Sequence, residues 1–111
     1  MKFKNMFSPI QIGPMTVKNR FVVPPMGNNF ANSDGTWSDE SVAYYGERAK
    51  GQFGLITIEA TVVHKGAKGG PKKPCLYDDN SIESLKKITD ACHEEGATVS
   101  YTHLTLPTIR L

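Results

Sequence analysis

The sequence predicts an α/β fold in which strands and helices alternate along the chain. The strongest strand signal is Phe53-Gly-Leu-Ile-Thr-Ile58, a continuously apolar run of the kind buried on both faces of a parallel sheet. Helical spacing stands on either side of it. Val42, Tyr45 and Ala49 precede it, and Ile82, Leu85, Ile88, Ala91 and Cys92 follow it. The resulting order of strand, helix, strand, helix, strand implies parallel pairing with right-handed crossovers. An open doubly wound sheet and a closed βα barrel share that order, and periodicity leaves both open.

From the N-terminus, Ile10 and Ile12 lie on one side of a short strand that turns at Gly13-Pro14 and resumes from Thr16 to Lys18, which predicts a hairpin. Phe21-Val-Val23 is the first core strand, closed by Pro24-Pro25 because proline cannot donate to a strand ladder. Gly27 to Gly35 is a polar loop, and Thr36-Trp-Ser-Asp-Glu supplies N-cap oxygens and acidic residues for a helix start. Lys50-Gly51 ends that helix. Asn80 with Glu83 has the spacing of a capping box, Gly96 is a natural helix stop, and a third strand begins within Ala97 to Ser100.

The 111 residues suit one domain, and 39% hydrophobic with 22% charged residues describes globular stock. Thirteen basic residues against 11 acidic ones are mixed along the chain, so no nucleic-acid footprint appears. No segment reaches the roughly 18 apolar residues of a membrane span, and MKFKNMFSPIQIG has no apolar run behind Lys2 and Lys4 to make it a leader. Cys75 and Cys92 stand far apart, outside any CxxC or Cys/His cluster, which reads as reduced thiols in a cytoplasmic protein with no metal site.

Other candidate residues read as structural. Lys65-Gly-Ala-Lys-Gly-Gly-Pro-Lys-Lys73 could cradle a phosphate, but it lacks the spacing of a P-loop or a GxGxxG and reads as a solvated loop bordering a substrate mouth. Tyr44 and Tyr45 sit in a helix, and Tyr45 reads as core. His64 stands at a strand's C-terminal end without an evident partner, and His93 lies on the second helix facing solvent. Asp34, Asp39 and Glu40 fit capping rather than a calcium loop, and Trp37 fits an anchoring hydrophobe.

Three blocks in order, FSPIxIGxMTVKNRFVVPPM, DGTWSDESVAYYGERAKGQFGLITIEATVV and a helix ending in EEGA, resemble the N-terminal portion of the Old Yellow Enzyme family. The likeness is greatest to its NADH:flavin oxidoreductase and dienoyl-CoA reductase branch, and it covers Met6 to Thr98. The resemblance implies the N-terminal part of a (β/α)8 TIM barrel, a leading hairpin plus about two and a half βα units, with FMN at the C-terminal mouth. It also implies hydride transfer from NAD(P)H through FMN to an electron-poor alkene, a small-molecule substrate. A barrel of this kind takes about 250 residues, so the chain is expected to be a fragment of an enzyme and inactive by itself.

Carried over by position, Pro25, Met26 and Gly27 match the turn after the first core strand whose backbone faces the flavin ring, and Ala60 matches a small residue lying against it. These four are the expected cofactor-binding residues. Asn19 and Arg20 match the family's KNR block at the barrel bottom, where likeness implies stability. Gly27 stands where many relatives carry Cys or Thr to tune the flavin potential, and Asn29 where some carry a substrate-facing Tyr. Thr102 occupies the slot of a flavin-binding Gln, and His103 is out of register with the family histidine, so neither role is carried across.

Val99 to Thr108 also resembles the translation of a transposase-type sequencing adapter over all ten positions. The expected organisation is therefore residues 1–98 as the front of an FMN-binding barrel and 99–111 as a non-native tail. A rival reading is a small stand-alone α/β binding module without catalysis, its open strand edges covered by self-association.

Overall fold

The computed structural model describes residues 2–67 and 70–101. A one-turn helix α1 (Lys4–Phe7), which periodicity did not signal, leads into the antiparallel hairpin of β1 (Ile10–Ile12) and β2 (Met15–Val17). Ile10 pairs with Val17 and Ile12 with Met15, so the second strand starts one residue earlier than expected. Phe7 and Phe21 stack at 5.2 Å, and the Arg20 amide donates to the Met6 carbonyl at 3.1 Å, tying this leader to the next strand.

β3 (Val22–Val23), β4 (Leu55–Ile58) and β5 (Thr98–Tyr101) form a parallel sheet in chain order. The register sets Val22, Leu55 and Thr98 in one row and Val23, Ile56 and Val99 in the next. Successive strand residues point to opposite faces. The row of Val23, Ile56 and Val99, together with Ile58, turns toward helices α2 (Asp39–Lys50) and α3 (Ile82–Glu94) and enters one apolar core with Trp37, Tyr45, Ala49, Ile88 and Cys92. In the other row Val22 remains 48% exposed, while Leu55 and Thr98 are half-buried. Sequential parallel strands with both helices on one side form an arc of a barrel wall, a pattern also found in half of a doubly wound sheet.

Helix α2 begins where expected. Ser38 caps it by accepting from the Ser41 amide, with Asp39 and Glu40 in the first turn against the helix dipole. The start of α3 departs from the expected capping box. Asp78 takes the Asn80 amide, Asn80 turns its side chain to Asp78, and a single 3₁₀ turn over Asp79–Ser81 leads into the helix. Ser81 spends its hydroxyl on the Gly35 carbonyl, so no side-chain cap forms at Ile82. That geometry also leaves Ile82, expected in the apolar stripe, 56% exposed, while Ile88 and Cys92 are fully buried. The other end follows the sequence signal. Gly96 adopts φ +78, its amide bonds to His93 and that of Ala97 to Cys92, which is a Schellman closure that only a residue tolerant of left-handed backbone makes cheaply.

The N-terminal ends of the strands are stapled by polar groups. Asn19 is 6% exposed, donates to the Gln52 carbonyl at 2.7 Å and accepts from the Phe21 amide at 3.0 Å. Lys18 reaches the Glu95 carbonyl at the end of α3 at 2.6 Å, where a cation meets the negative pole of the helix. Gly54 lies so close beneath these groups that a Cβ there would stand 2.6 Å from Asn19 Oδ1 and 2.8 Å from the Asn19 carbonyl oxygen. Asn19 is thus a structural clamp, in agreement with its reading as a stability residue.

Candidate flavin site at the strand C-termini

In parallel βα architectures the loops leaving the C-terminal strand ends build the site, because all of them emerge on one side. Two of them do so here. Val23 runs into Pro24-Pro25 and the turn Met26–Asn29, and Ile58 runs into Glu59 and Ala60. Gly27 and Ala60, neither carrying more than a methyl group, line one cavity of about 310 Å³ with Val62, Val63, Ala67 and Lys73. Pro25 and Met26 are exposed at the same end but do not line that cavity, and Met26 is 45% exposed. The structure therefore brings Gly27 and Ala60 together and leaves Pro25 and Met26 on the rim. A second recess of similar size lies between the starts of α2 and α3, around Thr36, Asp39 and Lys87, away from all four residues.

The turn is held from below. Asn28 accepts the Phe30 amide on its own side chain at 3.0 Å, and Asn29 takes φ +58, which Asn adopts more readily than most side chains. The Asn28 amide donates to Glu59 Oε2 at 3.3 Å, and Asn28 Nδ2 reaches the Tyr45 hydroxyl at 3.5 Å. The Glu59 amide donates to the same hydroxyl at 3.0 Å. Tyr45 is core, as expected, yet its phenol oxygen is the point where α2, β4 and the turn meet. Burial pushes the Glu59 carboxyl above the ordinary carboxylate range, against the opposing pull of the Asn28 amide, the Lys73 charge and the Tyr45 hydroxyl. Burial also raises the Tyr45 phenol and pushes the Cys92 thiol up to about 11, so Cys92 is a neutral apolar filler at neutral pH.

Lys73 belongs to the lysine- and glycine-rich stretch after β4. That stretch makes a 3₁₀ turn at Lys65–Ala67 and returns through Pro74 and Cys75 to pair with Val62. The return carries the Lys73 ammonium to 3.5 Å from where a Cβ on Gly27 would stand, so it faces the mouth rather than open solvent. Glu59 and Lys73 were not singled out from sequence as site residues. A lone carboxylate directly after the buried strand Leu55–Ile58 is the signal for Glu59, whereas nothing local marks Lys73 among its neighbouring lysines.

The remaining candidates are structural. His64 is exposed and accepts the Gly66 amide in its own turn at 3.0 Å. His93 is exposed on α3. Tyr44 is half-buried against the core, edge to face with Phe30 and Tyr45, and the Arg48 guanidinium lies 3.5 Å from its ring centre. Asp34 accepts from Thr36, Trp37 is 3% exposed in the core, and Asp39 and Glu40 serve the first turn of α2. Among the described residues no three metal-ligating side chains stand together. Thr102 and His103 lie outside the described residues.

With the mouth in place, comparison with known proteins decides between the two α/β architectures. Residues 5–108 match the model of the NADH:flavin oxidoreductase / NADH oxidase family. The chain belongs to this family. The match carries through β5, so Val99 to Tyr101 occupy the third strand in register with β4. Solved structures agree. The Old Yellow Enzyme from Pichia sp. AKU4542 is 34% identical with a TM-score of 0.81 over 87% of this chain and 25% of its own. Its counterpart from Trypanosoma cruzi is 34% identical with a TM-score of 0.81 over 91% and 27%. A 2-naphthoyl-CoA reductase, in a soaked complex with 2-naphthoyl-CoA, is 33% identical with a TM-score of 0.84 over 88% and 15%. The three-stranded sheet is thus the first arc of a (β/α)8 flavin-oxidoreductase barrel, and the chain spans about a quarter of the length of the Old Yellow Enzymes it matches.

Proposed function

We propose that this chain contributes the front of an FMN-dependent NAD(P)H oxidoreductase acting on an electron-poor alkene, a small molecule. The observation that carries the reading is the convergence of Gly27 and Ala60 on one cavity at the strand C-termini. The lining fits the cofactor. A flat conjugated ring needs small and aliphatic neighbours, which Gly27, Ala60, Val62, Val63 and Ala67 are, and longer side chains at Gly27 or Ala60 would occupy its space. Pro25 and Met26 border the same space from the rim. When bound, FMN would supply two-electron hydride chemistry between nicotinamide and substrate. Were FMN bound there, Gly27 and Ala60 would shape the ring's berth, and Lys73, whose ammonium stands 3.5 Å from where a Cβ on Gly27 would be, would supply positive charge to the lining.

Among the described residues no helix is long and apolar enough to cross a membrane. Cytoplasmic residence, with Cys75 and Cys92 as buried free thiols, accompanies the reading. The adapter-like run beginning at Val99 supports placing the end of the native coding sequence near residue 98, while the family match itself runs to residue 108, and a long genomic read through the codon for Thr98 tests that boundary.

The functional test is twofold. The full-length protein carrying this segment is expected to bind FMN and to oxidise NADH in an FMN-dependent way, and the 111-residue chain alone is expected to do neither. Turnover by the 111 residues alone, or a full-length protein indifferent to FMN, would contradict the reading.

A further inference from the structure

Glu59 is the one fully buried carboxyl group among the described residues, 0% exposed at the functional end of β4. Its Oε2 accepts the Asn28 amide, its own amide is fixed on the Tyr45 hydroxyl, and its Oε1 is buried with no hydrogen-bond partner among the described residues. A carboxyl group is a costly choice for such a place, and packing alone would be served better by an aliphatic residue. What it provides is an acceptor directly beneath the turn whose backbone borders the cavity. The groups that face it are Tyr45 from α2, Asn28 from the turn itself and Lys73 from the return of the following loop. They come from three separate stretches of chain, so the carboxyl joins the two loops of the mouth through one side chain.

We propose that Glu59 is a positioning residue of the flavin site: through the Asn28 amide it holds the Met26–Asn28 turn at the height of Ala60, while the Tyr45 hydroxyl fixes its own backbone. The inference rests on the flavin reading above. Glu59 does not touch the cavity's contents. It acts through the turn, so its loss is expected to alter how the flavin is held and how it absorbs, beyond any change in folding.

The experiment uses the full-length, FMN-loaded protein and the variants Glu59→Gln and Glu59→Ala. Gln retains an acceptor for the Asn28 amide and is expected to hold FMN within about twofold of the parent, whereas Ala removes it and is expected to weaken FMN binding roughly tenfold, the equivalent of one hydrogen bond to a buried group. The flavin absorption of the parent is expected to shift with pH above the ordinary carboxylate range, and that of Glu59→Gln to be flat there. If Glu59→Ala does not fold, the comparison of the parent with Glu59→Gln decides. A parent that binds FMN but shows the same pH profile as Glu59→Gln overturns the positioning role. So does a Glu59→Ala protein with unchanged affinity and spectrum. A parent that binds no FMN overturns the flavin reading instead, which separates the two failures.

Discussion

The two ends of the parallel sheet are built on opposite principles. At the N-terminal end Asn19 satisfies both a donor and an acceptor with backbone partners, Lys18 closes the end of α3, and Gly54 is pressed against Asn19 with no room for a Cβ. At the C-terminal end the turn after β3 is exposed, Asn29 holds a left-handed backbone, and Glu59 keeps an oxygen buried without a partner among the described residues. Saturated hydrogen bonding and close packing serve stability. Exposure, backbone strain and a perturbed carboxyl are what a site retains at stability's expense. The same sheet thus separates its saturated end from its exposed, cavity-bearing end by about one strand length.

That contrast can be broken at several points in the full-length protein. The largest effect is expected from Gly54→Ala, whose methyl would stand 2.8 Å from backbone and 2.9 Å from Val17 Cγ1. Overpacking against backbone is expected to cost about 3 kcal/mol, read as a lowered thermal midpoint. Asn19→Ala removes two hydrogen bonds to buried backbone and is expected to cost about 2 kcal/mol while leaving FMN affinity unchanged.

A smaller effect is expected from pH. The folded-state pKa of Glu59 is raised, so the fold binds its proton more tightly than the unfolded chain does. Its contribution is fully present below the unfolded carboxylate pKa and is lost as pH rises through the raised folded value. Chemical denaturation across that window is expected to show this decline in the parent and not in Glu59→Gln. The smallest effect belongs to Lys86→Ala. The Lys86–Asp90 pair is 2.6 Å apart but its side chains are 69% and 56% exposed, so the loss is expected to stay within about 0.5 kcal/mol.

Much of the frame was legible in the sequence because its signals are local. The apolar run ending at Ile58, the caps around Ser38 and the stop at Gly96 each act within a few residues, and the strands, α2 and the end of α3 follow them. The family blocks supplied the barrel and picked out Gly27 and Ala60, which the structure sets on a common cavity. Signals that compete across the chain were harder to read. Ser81 is drawn to the Gly35 carbonyl 46 positions away, which displaces the expected capping box at Asn80 and Glu83. Glu59 takes its meaning from Asn28 and Tyr45, and Lys73 from a loop that folds back onto Gly27, partners that no spacing rule reveals.

The central claim is that the strand C-termini hold the flavin while the N-termini hold the fold. Its most direct test measures FMN affinity and thermal midpoint side by side for Ala60→Phe and Asn19→Ala in the full-length protein. Ala60 is exposed at the cavity, so its phenylalanine variant is expected to lose FMN by at least about tenfold with little change in the apoprotein's midpoint. Asn19→Ala is expected to do the reverse. Undiminished FMN binding in Ala60→Phe, in a parent shown to bind FMN, would contradict the account.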